Sequence, residues 1–152
     1  MPPGKTLSAL LLFLALSGCG TTRSFFGGDL ELEVLTDPGI NQDTPVQVEV
    51  LVIYSDQLLQ QVLALPAQSW FDKRETILRN YPGDEFYVSR YWELVPGQPK
   101  FTESISFSTG ARATVVFANY ASIGDHRVSE NPHQDLYIHL QDSDVSVSPL
   151  QR

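Results

Sequence analysis

The feature that most constrains the fold is a strict alternation of apolar and polar residues. It occurs in short segments, and turn-forming residues separate these segments. "LELEVL" (residues 30–35) alternates along its whole length, and "VQVEVLVIY" (residues 46–54) places its valines and Tyr54 on one face. Successive side chains of a strand point to opposite faces of its sheet, so this pattern predicts strands with one buried face. The other face of 46–54 starts polar and becomes apolar at Leu51 and Ile53, which predicts that a further element covers that half.

The covering element is predicted to be helical. In "SDQLLQQVLAL" (residues 55–65) the apolar residues repeat at helical spacing behind Ser55, a candidate N-cap. Pro66 can occupy a first helical turn, and the residues after it place Trp70, Phe71 and Tyr81 on one side together with two further apolar residues. We therefore expect two short helices over one end of a sheet.

Five more strands are predicted after the helices, over residues 86–95, 100–107, 111–120, 135–140 and 144–148. The intervening "ASIGDHRVSENPHQ" (121–134) is predicted to be a loop. Seven short strands with one helical insertion after the second predict a mainly β fold, an antiparallel β-sandwich. The expected core comprises Val48, Val50, Val52, Trp92, Val115 and Phe117, with Trp70 and Phe71 packed against it from the insertion.

The chain has a single cysteine, Cys19, which excludes an intramolecular disulfide and a cysteine-rich zinc site. An uncharged apolar run precedes it, and as a helix its ten residues rise about 15 Å. That is half of a hydrocarbon core about 30 Å thick, which suits the h-region of a signal peptide. Leu16-Ser17-Gly18-Cys19 matches the bacterial lipobox, whose thiol accepts a diacylglycerol before cleavage. A plain secretory signal with an incidental cysteine is the alternative.

The lipobox predicts the domain organisation and the location. Residues 1–18 are expected to be a lipoprotein signal peptide, 19–29 a lipidated tether, and 30–152 the β-sandwich domain. Two or three acyl chains on Cys19 would form a stable membrane anchor. Gly20, and not an aspartate that favours inner-membrane retention, would follow the cysteine, so we expect the periplasmic face of the outer membrane.

The charge argues against several classes of partner. The net charge is −8, and cleavage would remove Lys5 but no acidic residue. A surface this acidic disfavours nucleic acid and a polybasic membrane patch, and it suits a basic protein surface.

Catalytic and metal signals are weak. None of the common hydrolase, zinc-protease or nucleotide-binding motifs is present in the sequence. Counted from Asp37, the residues Asp37, Asn41 and Asp43 occupy alternate positions like those of ligands at the start of a calcium loop. The twelfth position, where such a loop has a glutamate, is a valine, which favours an Asx-turn loop without calcium. The spacing of His126, Glu130 and His133 fits no standard zinc pattern. His139 is expected to be an ordinary outward-facing histidine. We expect no enzyme, no cofactor and no metal.

Three segments share a pattern of turns and strands with a known family: "INQDTPVQVEVLVIY" (40–54), "WELVPGQ" (92–98) and "VVFANYASIGDHR" (115–127). They resemble the TssJ/SciN family of type VI secretion lipoproteins. The resemblance implies a transthyretin-like β-sandwich with added helices. It implies a non-enzymatic role, anchoring the secretion envelope complex to the outer membrane and binding the periplasmic part of the inner-membrane component TssM. It further implies a contact through the loop between the first two strands, residues 36–45.

Two functional hypotheses follow. The first is a lipid-tethered scaffold that binds its partner through loops at one end of the sandwich, and the candidate contact residues are Asp37, Pro38, Asn41, Asp43, His126 and Arg127. The second is a lipoprotein that binds or processes cell-wall glycan or peptide, with Tyr87, Tyr91 and Trp92 as a platform for sugar stacking.

Overall fold

The computed structural model describes residues 27–151. The predicted signal peptide at 1–18, Cys19 and most of the predicted tether lie outside these residues. The strands are β1 (Gly28–Thr36), β2 (Val46–Ile53), β3 (Tyr87–Leu94), β4 (Phe101–Phe107), β5 (Ala113–Ala118), β6 (Arg127–Glu130), β7 (Leu136–Leu140) and β8 (Val145–Pro149). The helices are α1 (Asp56–Leu63) and α2 (Ala67–Leu78).

Two four-stranded sheets, ordered β4-β1-β7-β8 and β3-β2-β5-β6, form the predicted β-sandwich. One neighbouring pair departs from the antiparallel arrangement, because β1 and β7 run parallel with Leu32 opposite Leu136. The chain crosses from the second sheet back to the first between β6 and β7, so β7 enters beside β1 in the same direction.

Strand β6 lies in the segment that was predicted to be a loop, so that prediction is wrong for Arg127–Glu130. β6 pairs antiparallel with β5, and Val128 lies opposite Val116. Its four residues are too few for a clear alternation. The strand exists because β5 presents an open edge, which is a tertiary feature.

The main core fills the space between the sheets. Val48, Val50 and Val52 are fully buried there, as predicted. Trp92 is only half-buried at the rim of this core, where it packs edge-on against Phe101 with ring centroids 5.9 Å apart.

A second core lies between the helices and the outer face of the β3-β2-β5-β6 sheet. Leu51 and Ile53 belong to it, which confirms that the insertion covers that half of β2. Phe117 also lies in this core together with Val115, not in the sandwich interior where both were expected. Trp70 of α2 stacks on Phe117 with ring centroids 5.1 Å apart and an interplanar angle of 8°.

Local capping supports the helical layer. The hydroxyl of Ser55 accepts a hydrogen bond from the Leu58 amide at 3.2 Å, which confirms the predicted N-cap of α1. Pro66 stands immediately before α2 as its N-cap. The longer helix has 12 residues. Within residues 27–151, neither helix is long and apolar enough to cross a membrane.

The directions of the paired strands show which loops lie at the same end of the sandwich. Four loops share one end, which we call the loop end: residues 37–45, 95–100, 119–126 and 141–144. We call the opposite end, where the chain enters β1, the tether end. Gly27 there has a φ of +75°, and an added Cβ would collide with the carbonyl oxygen of Phe107, so only glycine fits at this entry.

Candidate functional site

The β1–β2 loop contains a left-handed turn at Ile40–Asp43. Asn41, Gln42 and Asp43 have φ values of 49°, 57° and 60°. A left-handed conformation costs a non-glycine residue about 1–2 kcal/mol, and asparagine tolerates it best among the larger residues. Three such residues in succession require contacts that hold the turn.

Asn41 supplies those contacts. The residue is 8% exposed, and its side-chain amide donates to Thr44 Oγ1 at 2.8 Å and to the carbonyl of Pro45 at 3.2 Å. Its Oδ1 accepts from the Ala121 amide at 2.7 Å, and its own amide donates to the carbonyl of Asp142 at 2.8 Å. Asn41 therefore joins three of the four loops. It holds the loop end together, and its side chain is not available to a partner.

Asp37 and Pro38 lie at the start of the same loop. The Asp37 amide donates to the Leu140 carbonyl and its carbonyl accepts from the Gly97 amide, both at 3.0 Å. Its carboxylate Oδ1 lies 2.8 Å from Nε2 of His139 and remains partly exposed, while Pro38 is exposed. Both residues are accessible, as a contact site requires.

His126 is buried at the base of the β5–β6 loop, and it too is a supporting residue. Its Nδ1 lies 2.8 Å from Asp144 Oδ1 and its Nε2 lies 2.9 Å from the Ser122 carbonyl oxygen. The ring centroid is 5.1 Å from that of Tyr120. A Cβ on Gly124 would come within 2.7 Å of the His126 ring, so the glycine lets the loop close over it.

Arg127 connects the loop end to the helical layer. Its Nη1 donates to the Leu65 carbonyl at 2.6 Å, and its Nη2 lies 3.6 Å from Asp125 Oδ2. The Ala67 amide donates to the Asp125 carbonyl at 2.8 Å. The candidate side chains thus divide into an accessible set (Asp37, Pro38 and Asp43) and a supporting set (Asn41, His126 and Arg127).

The loop end is acidic. Its accessible carboxylates belong to Asp37, Asp43, Asp125, Asp142 and Asp144. Lys100 is the single lysine or arginine in the four loops, and it pairs with Glu33 at 3.1 Å. Tyr120 lies beneath this end, and its hydroxyl donates to the Gln141 carbonyl at 2.8 Å. Burial raises the pKa of Tyr120, and Asp144, Asp37 and Asp142 add to this shift.

Solved structures share this architecture. Lip from Serratia marcescens, described as a membrane-bound component of the Type VI Secretion System, superposes with a TM-score of 0.62 at 19% identity, over 83% of this chain and 99% of that chain. The type VI lipoprotein TssJ1 from Pseudomonas aeruginosa gives a TM-score of 0.64 at 14% identity, over 83% and 98%. This chain has the fold of the type VI secretion lipoproteins.

A chain of a third structure, described as the C-terminal domain (869-1107) of the type VI protein TssM from EAEC, matches with a TM-score of 0.58 at 14% identity, over 81% of this chain and 99% of that chain. No family model and no curated protein matches the sequence. The predicted transthyretin-like β-sandwich with a helical insertion is confirmed by the fold that this chain shares with the type VI lipoproteins.

The aromatic platform of the second hypothesis is not assembled. Tyr87 and Tyr91 face the helical layer, whereas Trp92 faces the sandwich core. Tyr91 packs edge-on against Phe71 with centroids 6.3 Å apart, and the Arg74 guanidinium lies 5.5 Å from its ring centroid. Successive side chains on a strand alternate in direction, so the three rings cannot stack on one sugar chain.

A buried ion pair was missed at the sequence level. Glu49 was placed on a polar stretch of β2, yet its side chain is fully buried beneath α2. It accepts from Trp70 Nε1 at 2.8 Å and from Arg74 Nε and Nη2 at 2.8 and 2.7 Å. The hydrogen bond to Glu49 raises the pKa of Arg74. The spacing of Trp70 and Arg74, one helical turn apart, was the signal that could have located this cluster.

Among residues 27–151, no group of three or more histidine, cysteine, aspartate or glutamate side chains is arranged to hold a metal ion. Neither the calcium-like loop nor the histidine-containing loop forms such a cluster. What the loop end offers chemically is a rigid, negatively charged surface.

Proposed function

We propose that this protein belongs to the TssJ family and is an outer-membrane-anchored periplasmic lipoprotein. In this role it is a scaffold component of a type VI secretion envelope complex, and it binds the periplasmic part of a TssM-like inner-membrane component. The observation that carries the proposal is the fold shared with two type VI lipoproteins, which extends over nearly the whole of those chains. The family pattern at residues 40–54 and the lipobox at Cys19 support it independently.

The direction of the tether supports this role. Cys19 would be lipidated, and Gly27 enters the domain at the tether end. Eight residue steps between them span at most about 29 Å. The tether end would therefore lie near the membrane, and the loop end would point into the periplasm, where a protein anchored in the inner membrane can reach it.

The accessible acidic residues of the loop end are the proposed contact surface. Asp37, Pro38 and Asp43 would contact the partner, while Asn41, His126 and Arg127 would hold their loops in place. Complementary charge steers association and makes it sensitive to salt, so the partner surface is expected to be basic. The structure described as a TssM C-terminal domain, one chain of which has this fold, supports a TssM-like partner.

We further propose that the protein has no enzymatic activity. The neighbours are described as a membrane-bound secretion component and a lipoprotein, and not as enzymes. The cell-wall hypothesis is not favoured, since its aromatic residues point in different directions.

The test is a binding measurement with purified proteins. The acyl-free chain (residues 20–152), which contains both cores, is titrated with the periplasmic segment of the TssM-like protein from the same genome. We expect the wild type to bind with an affinity that falls as salt rises. Asp37→Lys combined with Asp43→Lys should lower that affinity by at least about tenfold, a loss of about 1.4 kcal/mol in binding free energy.

The matched control is Asp84→Lys combined with Glu85→Lys, which reverses two exposed carboxylates near the tether end. This control should bind like the wild type. Absence of wild-type binding would contradict the proposal, and binding to peptidoglycan fragments in its place would favour the cell-wall hypothesis.

A further inference from the structure

We propose that Ile123, at the tip of the β5–β6 loop, is the apolar anchor of the partner contact. It would enter an apolar socket with a basic rim on the partner protein. This inference rests on the proposed function and names the residue that dominates its interface. Among residues 27–151, Ile123 is the most exposed large apolar side chain, with a relative exposure of 105%, against 37–48% for Leu63, Tyr91 and Val95.

The loop that carries Ile123 is held on both sides. Before it, the Ala121 amide donates to Asn41 Oδ1 at 2.7 Å, and the Ser122 hydroxyl donates to the Ser143 carbonyl at 2.8 Å. After it, the Asp125 carbonyl accepts from the amide of Ala67, the first residue of α2, at 2.8 Å. The tip is therefore tied to two neighbouring loops and to the helical layer.

This rigidity matters for binding. Ordering a mobile loop reduces affinity, so a side chain presented on an already ordered loop retains more of the free energy of burying its apolar surface. Exposing an isoleucine completely on a fixed tip gives the folded domain no packing benefit. The geometry is that of an anchor which becomes buried only in a complex.

The surroundings of Ile123 define the chemistry of the socket. Asp125 and Asp144, on the same and the adjoining loop, have side chains that are 73% and 64% exposed. Asp43 and Asp142 are also exposed at this end. Interfaces typically place apolar anchors at the centre and charged residues at the rim. A partner that fits this surface has an apolar pocket flanked by lysine or arginine.

The test compares three variants of the acyl-free chain against the periplasmic segment of the TssM-like protein. Ile123→Ser should weaken binding on the order of 10- to 100-fold, because it removes a buried apolar side chain from the interface. Ile123→Val should weaken it by less than about fivefold. Leu63→Ser, which removes an exposed apolar side chain on α1, should bind like the wild type.

Urea unfolding serves as the folding check, and an unchanged midpoint for Ile123→Ser is expected since the side chain makes no internal packing. If the wild type binds and Ile123→Ser binds equally well, the anchor proposal is wrong while the proposed function stands. Equal weakening of binding by Ile123→Ser and Leu63→Ser would also overturn the anchor proposal.

A second experiment covers the case in which the wild type does not bind that segment, which would refute the proposed function itself. Ile123→Cys creates the sole cysteine of residues 20–152, so a benzophenone maleimide attaches only there. Irradiation in envelope extract should link it to a periplasmic protein, with the linked peptide mapping to an apolar pocket flanked by basic residues. Absence of such a product, or the same product from Leu63→Cys, would overturn the anchor.

Discussion

At the scale of single residues, the fully buried Glu49 is the position where the chain departs most from its local pattern. A buried charge costs several kcal/mol unless it is paired and hydrogen-bonded. The three donors from Trp70 and Arg74 meet that requirement and attach α2 to β2 at a defined place. The pair gives the helical layer its register on the sheet, and Phe117 fills the space beside it by stacking on Trp70.

Removing one partner of this pair should be costly. Arg74→Met leaves the Glu49 carboxylate buried with only Trp70 as a donor, and we expect the free energy of unfolding to fall by about 3 kcal/mol. Urea unfolding followed by tryptophan fluorescence measures this. As the control, Glu49→Leu combined with Arg74→Met removes both charges and should cost clearly less. A double variant as unstable as Arg74→Met would show that packing, and not the unpaired charge, dominates.

At the scale of elements, the left-handed turn Ile40–Asp43 decides the shape of the β1–β2 loop. Asn41 satisfies this conformation with its side-chain hydrogen bonds, whereas Gln42 is exposed and adopts it without such support. The turn is maintained because the neighbouring loops hold Asn41 in place. The accessible carboxylates of Asp37 and Asp43 are thereby fixed on either side of a buried asparagine.

Gln42→Gly should therefore stabilise the domain. Relief of the left-handed strain, about 1–2 kcal/mol, exceeds the entropic penalty of a glycine, about 0.5–1 kcal/mol. We expect a net gain of about 0.5–1 kcal/mol in the free energy of unfolding, measured by urea denaturation. Gln42→Ala keeps the Cβ and should give no gain. An equal gain from both variants would mean that the glutamine side chain, and not the backbone, carries the strain.

At the scale of the whole molecule, the proposed function would give the two ends of the sandwich different roles. β1 begins at the tether end and delivers the chain to the loop end, where all four loops and most of the candidate residues meet. β1 has nine residues and is therefore about 30 Å long, so the domain itself would separate the proposed membrane anchor from the proposed contact surface. A lipid at Cys19 and a partner at the loop end can be engaged together.

The proposed lipidation of Cys19 predicts a specific change on mutation. Cys19→Ser removes the thiol that would accept the diacylglycerol, so the protein should stay unprocessed or appear in the soluble periplasmic fraction. Membrane fractionation with intact-mass measurement tests this. Ser17→Ala keeps a small residue in the lipobox and should be processed and sorted like the wild type. A Cys19→Ser protein of processed mass in the outer membrane would contradict the anchor.

The strands and helices with strong local periodicity were predictable from the sequence. The alternation in 46–54 identifies β2, and the switch at Leu51 indicates the helical cover, because both periodicities are properties of adjacent residues. The four-residue β6 was not predictable, since its formation depends on the open edge of β5.

For the candidate site, residue type and loop membership were readable from the sequence, but exposure was not. Asn41 and Asp43 lie two residues apart in one polar loop, yet one is buried and the other exposed. His126 and Ile123 show the reverse of what their polarity predicts, because the histidine lies under the loop and the isoleucine at its tip.

The sequence by itself determined the mainly β class, the helical insertion and the acidic charge, all of which are local or compositional. Only the tertiary structure decided which loops meet, that Glu49 is buried, and that Ile123 faces outward. The physical reason is that pairing and burial join residues far apart in the chain, as when the Asn41 side chain accepts from the Ala121 amide. Such contacts depend on how the two sheets stack, and no local periodicity encodes that arrangement.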